Sequence, residues 1–372
     1  MLKLTGYGSG GWGVGMSGRL DGIQILRFVA AAMVLIQHAV FLPSLHYQID
    51  VMPFRKLGIG TAGVYIFFVI SGYVMAGLID QRPLRFALHR IVRIYPPYIV
   101  AIALSASLVI LLDGVAFEKV RWVWSYTLLP LGGPIDSWAY VPFWTLIYEI
   151  TFYAVTFGLM FGGQRCFDIG LVVWALLIVI TAYFLPTPRP LTANVLAILT
   201  NPVSLLFIAG AALGRLHAGN SWPIVATGLI TWTAYWRAGT PYQSIPIFSI
   251  GVLAAIHLAV RGNEFIARQT WLKPVVRGGD YSYGLYLMHM PVISVVLLLG
   301  LAKIVNYWFA VAICIVIGGA AGILFGFADF QFYQRIARRS ADRIASLGIA
   351  SSASDTQIGV PAEVPMKAAP PA

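Results

Sequence analysis

The sequence predicts an all-α protein, a polytopic integral membrane bundle of about ten transmembrane helices with both termini cytoplasmic. Three observations predict it. Of 372 residues, 59% are hydrophobic and only 10% charged, where a soluble domain carries about 25% charge. The apolar residues come in blocks of about 20, the length of a helix across the hydrocarbon core, not in the alternation of a transmembrane barrel. The basic residues fall in short loops between the blocks, as orientation signals do. With 25 basic and 14 acidic residues, no charged shell can coat a chain this long. Soluble enzymes, coiled coils and disordered proteins are excluded. The net charge of +11 is spread over loops, so nucleic acid is not an expected partner. Two cysteines, Cys166 and Cys314, can make neither a disulfide framework nor a four-ligand metal site.

Residues 1–19 read as a flexible Gly-rich leader without a cleavable signal peptide. Gly6, Gly8 and Gly11 match G-x-G-x-x-G but follow no strand, and Met16 is an alternative start. The transmembrane domain is expected over 20–339. Its spans are about 22–43, 58–79, 94–113, 140–161, 169–185, 200–216, 222–236, 245–260, 282–301 and 306–328. The seventh and eighth are the shortest signals. The Trp-rich stretch 121–131 reads as a surface helix. Residues 340–372, rich in Ala, Ser and Pro, read as a disordered cytoplasmic tail.

Sixteen Lys and Arg fall on the side holding the N-terminus, loops 80–93 and 261–281, Arg165, Arg215 and the segment after 328. Seven fall on the other side. The richer side is assigned to the cytoplasm. The spacings Gly210/Gly214 and Gly318/Gly322/Gly326 are assigned to close helix packing.

Ionisable groups inside spans cost about 2.5–3.5 kcal/mol at a helix centre and need a reason. Arg27 and His38 share the first span, 11 residues apart, hence on nearly one face with a rise of roughly 16 Å. A snorkelling Arg and a His satisfied by a neighbouring helix would explain them without function. The pairing of a cation with a distant titratable base on one face favours function. Glu149 is the only acidic residue inside the fourth span. A carboxylate there is protonated or paired. His38 is the expected partner, with Glu149 fixing its tautomer; a packing bond to Thr or Tyr is the alternative. Arg90 and Arg93, three apart, suit phosphate recognition through their planar donor forks, although basic loops are also expected on that side. Ser282, Tyr286 and His289 share a face at i, i+4 and i+7 and are candidates for a cavity lining, an aromatic belt being the competing account. Gly58, Gly60 and Gly63 match G-x-G-x-x-G without a βαβ unit and are set aside. No His/Cys cluster has zinc spacing, so no metal is expected.

Five motifs in order resemble the bacterial acyltransferase-3 family, and among its members the exopolysaccharide-acetylating branch. They are Ile23-Gln24-Ile25-Leu26-Arg27 leading to His38, Gly63 to Tyr73, Arg90-x-x-Arg93, Trp144 to Glu149, and Ser282 to His289. The resemblance runs from about 20 to 328. It implies an enzyme of the bacterial inner membrane that takes an acyl group, acetyl by default, from cytoplasmic acyl-coenzyme A. The acceptor is a hydroxyl of an exopolysaccharide or lipid-linked sugar. It implies acyl-CoA as co-substrate without a permanently bound cofactor. Arg27, Arg90 and Arg93 would hold the acyl-CoA, and His38 and Glu149 would be catalytic. Trp144, Tyr148, Ser282, Tyr286 and His289 would line the acceptor site or cavity. Phe28 stands where many relatives have Gly. No fused extracytoplasmic domain is expected, so action alone or with envelope polysaccharide assembly proteins follows. His38 would act as general base, a help of about 10²–10⁴-fold, or form a transient acyl-histidine. Two rival readings remain: a polysaccharide-precursor transporter or flippase without acyl chemistry, and a non-enzymatic envelope partner.

Overall fold

The computed structural model describes residues 19–113, 127–134, 144–185, 192–237 and 245–346. The expected leader (apart from residue 19), the Trp-rich stretch up to 126 and the tail from 347 lie outside the described residues.

Strong apolar blocks become the long helices. In chain order the helices are α1 (Asp21–Tyr47), α2 (Met52–Lys56), α3 (Ile59–Ala76), α4 (Pro83–Asp113), α5 (Trp144–Met160) and α6 (Gly163–Phe184). After these come α7 (Val195–Leu199), α8 (Ser204–His217), α9 (Trp222–Arg237), α10 (Ile245–Arg261), α11 (Asn263–Arg268), α12 (Lys273–Leu298) and α13 (Tyr307–Ser346). Six segments are long and apolar enough to cross a membrane: Asp21–Tyr47, Met52–Ala76, Pro83–Leu108, Gly163–Phe184, Thr270–Leu298 and Tyr307–Arg335. Four more helices, in α5, α8, α9 and α10, are apolar but shorter. Two details differ from expectation. The all-α reading misses one short antiparallel pair, β1 (Leu131–Pro134) with β2 (Thr192–Asn194). The last helix runs on to Ser346, past residue 340, because its Arg-rich turns hold no helix breaker.

The most extensive contacts join α12 with α13, α1 with α12, α3 with α8 and α1 with α3. Small residues make these approaches possible. A Cβ on Gly72 would collide with the Phe207 carbonyl oxygen, and one on Gly210 with that of Val69. Gly63 meets the Ala30 carbonyl of α1, where a Cβ would lie 2.5 Å from the oxygen. Thus α3 is pinned between α1 and α8 at backbone contact. A buried aromatic cluster fills the centre: Phe152 stacks on Phe207 at 4.5 Å between centroids, and Phe68 lies against Phe152 and Tyr148.

Polar bonds fix the ends. Arg215 was counted above as an orientation charge, but it is buried. Its Nε donates to Asp168 Oδ1 at 2.6 Å, and Asn220 donates to Asp168 Oδ2 at 2.7 Å. A buried charge persists only when paired in this way. At the opposite end of α3, Gly58 occupies the left-handed region at φ 62°. The Gln37 side chain of α1 accepts the Gly60 amide at 3.2 Å, satisfying one of the free donors of that helix start.

Candidate active site

A cavity of about 150 Å³ opens among α1, α3, α4, α5, α12 and α13. Arg27 and Gln24 reach it from α1, Arg90 and Arg93 from α4, Glu149 and Tyr153 from α5, and Asp280, Tyr283 and Tyr286 from α12. Ser71, Phe67 and Phe68 of α3 and Tyr333 of α13 complete the wall. Four of the residues singled out in the sequence as carrying charge chemistry, Arg27, Arg90, Arg93 and Glu149, are therefore brought to one place.

The three guanidinium groups differ in their surroundings. Arg93 Nη1 donates to Asp329 Oδ2 at 2.9 Å, and its guanidinium lies over the rings of Tyr283 and Tyr333. Arg90 lies over Phe86 and Tyr153, and its buried Nε has no hydrogen-bond partner among the described residues. Arg27 faces the cavity near Glu149 and Asp280, without an ion pair within 4 Å to a described residue. Pro96 and Pro97 withdraw two amide donors from α4 just beyond Arg93. The Tyr283 hydroxyl donates to the adjacent Ile94 carbonyl at 3.1 Å, which holds α4 against α12 there.

Glu149 does not orient His38, contrary to expectation. Its carboxylate accepts from the Tyr153 hydroxyl one turn along α5 and from Ser71 Oγ at 3.4 Å. The partner of His38 is His289: His38 Nδ1 and His289 Nε2 lie 2.9 Å apart, with the rings stacked at 5.1 Å. The reason is the axial offset between the groups. Glu149 lies one turn along α5 from Thr145, at the level of Ser71, while His38 lies farther along α1 than any cavity-lining residue of that helix.

The hydrogen bonds fix the tautomers. His289 Nδ1 lies 2.9 Å from the Leu285 carbonyl oxygen. A carbonyl only accepts, so His289 Nδ1 carries the proton and its Nε2, in the neutral ring, accepts. His38 Nδ1 must then donate to His289, and His38 Nε2 carries a lone pair. The chain Leu285–His289–His38 thus supplies what a carboxylate was expected to supply.

The remaining residues separate. Tyr286 lines the cavity, with its hydroxyl hydrogen-bonded to Thr145 Oγ1. Trp144, Tyr148 and Ser282 do not line it. Tyr148 is packed among Phe68, Phe152 and Trp144. The Ser282 hydroxyl donates to the Gly279 carbonyl of its own helix at 2.7 Å. Sequence reasoning missed Gln24, which is 5% exposed and has an amide oxygen without a hydrogen-bond partner among the described residues. Its signal was present: a polar residue three positions before Arg27 on the same helical face. It also missed Asp329, which lies one residue beyond the expected end of the last span.

With this geometry in hand, comparison with known proteins is decisive. The profile of the acyltransferase-3 family, described as an acyltransferase domain, matches residues 20–326. The chain belongs to this acyltransferase family. The acyltransferase is 28% identical over 322 residues to the exopolysaccharide production protein ExoZ of Rhizobium meliloti (strain 1021), covering 80% of this chain and 96% of ExoZ. It is 26% identical over 317 residues to nodulation protein 10 of Rhizobium leguminosarum bv. viciae, covering 76% and 86% respectively. No solved structure matches the acyltransferase significantly.

Proposed function

We propose that this acyltransferase is an inner-membrane enzyme that moves an acyl group, acetyl in the first instance, from cytoplasmic acyl-CoA to a hydroxyl of an exopolysaccharide or lipid-linked sugar. The observation that carries the reading is the Leu285–His289–His38 hydrogen-bond chain, which leaves a lone pair on His38 Nε2 beyond an arginine-lined cavity. The name of the ExoZ relative supports a polysaccharide acceptor. The excess of Lys and Arg on the side of the Asp21 end of α1 supports a cytoplasmic mouth and an even number of crossings with both termini inside, and the six long and four shorter apolar helices suit ten.

Coenzyme A is a polyphosphate head on a thin amide-bearing arm. Arg27, Arg90 and Arg93 hold the phosphates through charge-assisted bonds. The unpartnered Gln24 oxygen accepts an amide N–H of the arm, which directs the thioester along the bundle toward His38. His38 Nε2 removes the proton from the acceptor hydroxyl as its oxygen bonds to the thioester carbonyl carbon. The carbon–sulfur bond then breaks, and the leaving thiolate takes the proton back from the imidazolium. The products are an O-acyl ester and free coenzyme A. His289 stabilises the imidazolium by keeping its Nε2 as acceptor.

The test is label transfer from radiolabelled acetyl-CoA to glycans in membrane vesicles carrying the full chain. His38→Ala should lower transfer by about 10²–10⁴-fold. Equal transfer by variant and parent would reject the mechanism. Movement of a glycan precursor across the vesicle without release of coenzyme A would identify a flippase.

A further inference from the structure

The cavity stops short of the imidazole pair. Along α12 its lining residues are Asp280, Tyr283 and Tyr286, three apart, and the next in the series, His289, is absent from the wall. Along α1 the lining ends at Arg27, and His38 lies roughly 16 Å farther on. One layer separates the two regions. Phe67 of α3 meets Tyr286 edge to face at 5.8 Å between centroids. The Tyr286 hydroxyl is bonded to Thr145 of α5, and on its other side the Tyr286 ring lies 6.2 Å from the His289 ring.

We infer that Phe67 and Tyr286 form the constriction through which the acyl end of the donor reaches His38, and that it restricts the donor to short acyl groups. The inference rests on the acyltransferase reading above and assigns its specificity.

Two observations give the selection. First, the two rings are held unequally. Tyr286 is 5% exposed and tethered through its hydroxyl to Thr145. Phe67 is only partly buried and has no polar anchor, so its ring is the one free to swing aside. It packs against both of the larger core clusters and so stands at the boundary between them. Second, the far side of the layer is filled. Ala31, Leu35, Leu285 and Ile293 form one buried cluster around the level of the imidazoles. Leu285 is 2% exposed and Ile293 0%. A methyl group can enter where one ring has turned, but a chain of several methylenes meets close-packed side chains, and overpacking such a core is costly.

The experiment compares acetyl-, butyryl- and octanoyl-CoA as donors in vesicles carrying the full chain, reading coenzyme A release and label transfer. Wild type should favour acetyl. Phe67→Ala should raise the butyryl-to-acetyl ratio by about tenfold or more, the scale of discrimination that a few methylenes provide in an apolar pocket. Phe67→Leu, a milder change that keeps the packing, should shift the ratio in the same direction and guards against misfolding of the alanine variant. Wild type using octanoyl-CoA as readily as acetyl-CoA, or active Phe67 variants with an unchanged ratio, would overturn the constriction alone. Wild type inert toward every acyl-CoA would overturn the acyltransferase reading and the constriction with it.

Discussion

His38 and His289 face each other across the α1–α12 contact with 2.9 Å between Nδ1 and Nε2. Because Leu285 forces the proton onto His289 Nδ1, the pair has one tautomeric arrangement when neutral. In the proposed mechanism two imidazoles in series act as a base and its holder, with no carboxylate of the described residues hydrogen-bonded to either. A base that works by removing a hydroxyl proton needs its lone pair aimed and free, and the Leu285 carbonyl and the His289 side chain together leave one on His38 Nε2.

The first prediction follows from that pairing. His289→Ala removes the imidazole that accepts from His38 Nδ1 and loosens the ring, which keeps its backbone hydrogen bond to Val34. Turnover should fall by about 10²-fold, within the range for general-base catalysis, with the KM for acyl-CoA little changed. His289→Gln, whose amide oxygen can accept the same proton, should recover part of the loss. Measured kcat for the two variants decides: equal, full losses in both would show that accepting this proton is not what His289 contributes.

Gln24 gives a test in which stability and function move in opposite directions. A buried amide oxygen without a partner costs about 1–3 kcal/mol, and Gln24 Oε1 is such an atom. Gln24→Leu should therefore raise the melting temperature of the empty protein. The same change removes the acceptor offered to the donor arm, so the KM for acyl-CoA should rise by about threefold to tenfold, the worth of a hydrogen bond of about 0.5–1.5 kcal/mol. A stabilised variant with unchanged KM would remove Gln24 from the binding site.

Two kinds of charge were legible in advance: Arg27 and Glu149, expensive inside apolar spans, and the paired Arg90 and Arg93 at a span boundary. Arg27, Arg90, Arg93 and Glu149 line one cavity, where polar neighbours such as Asp329 and Tyr153 offset part of the cost of their burial. What one helix could not reveal was which helix opposes it. The 11-residue spacing from Arg27 to His38 fixed a face of α1, but α12 rather than α5 covers its far end, so the partner is His289 and not Glu149. Of the shared face of Ser282, Tyr286 and His289, only Tyr286 lines the cavity, while His289 lies beyond it against His38. Ser282 bonded to the Gly279 carbonyl of its own helix instead, the usual competition between a short hydroxyl side chain and backbone. Asp329 was hidden because the apolar block ends just before it, while the helix that carries it continues.

A packing prediction isolates the α3–α8 contact. A Cβ at Gly72 would collide with the Phe207 carbonyl, which belongs to the backbone of α8 and cannot rotate away. Gly72→Ala should push α3 off α8 and destabilise the protein by about 1–3 kcal/mol, as overpacking does. Gly228→Ala, in open space on α9, is the control and should leave stability unchanged or slightly raised, since alanine is the better helix former. Thermal unfolding in detergent separates the two. Because α3 also carries Phe67 and Ser71, acyl-CoA use should fall in the Gly72 variant and not in the control.

The last prediction separates the two duties of Arg93. Its ion pair with Asp329 has side-chain exposures of 21% and 7%, and Asp329 is nearly enclosed. Breaking such a pair from one side strands a buried charge, at about 3–5 kcal/mol, whereas replacing both partners by apolar residues is often neutral. Arg93→Met alone should therefore unfold at a markedly lower temperature, and so should Asp329→Leu alone. The double variant should recover most of the wild-type melting temperature. It should not recover acyl-CoA binding, because in the proposed function the guanidinium itself is the phosphate ligand. The readout is the rise in melting temperature with added coenzyme A, which grows with the ratio of ligand concentration to Kd. Wild type should show a concentration-dependent rise, and the stable double variant a much smaller one. If the double variant responds to coenzyme A as wild type does, Arg93 serves only to join α4 to α13, and phosphate recognition must fall to Arg27 and Arg90.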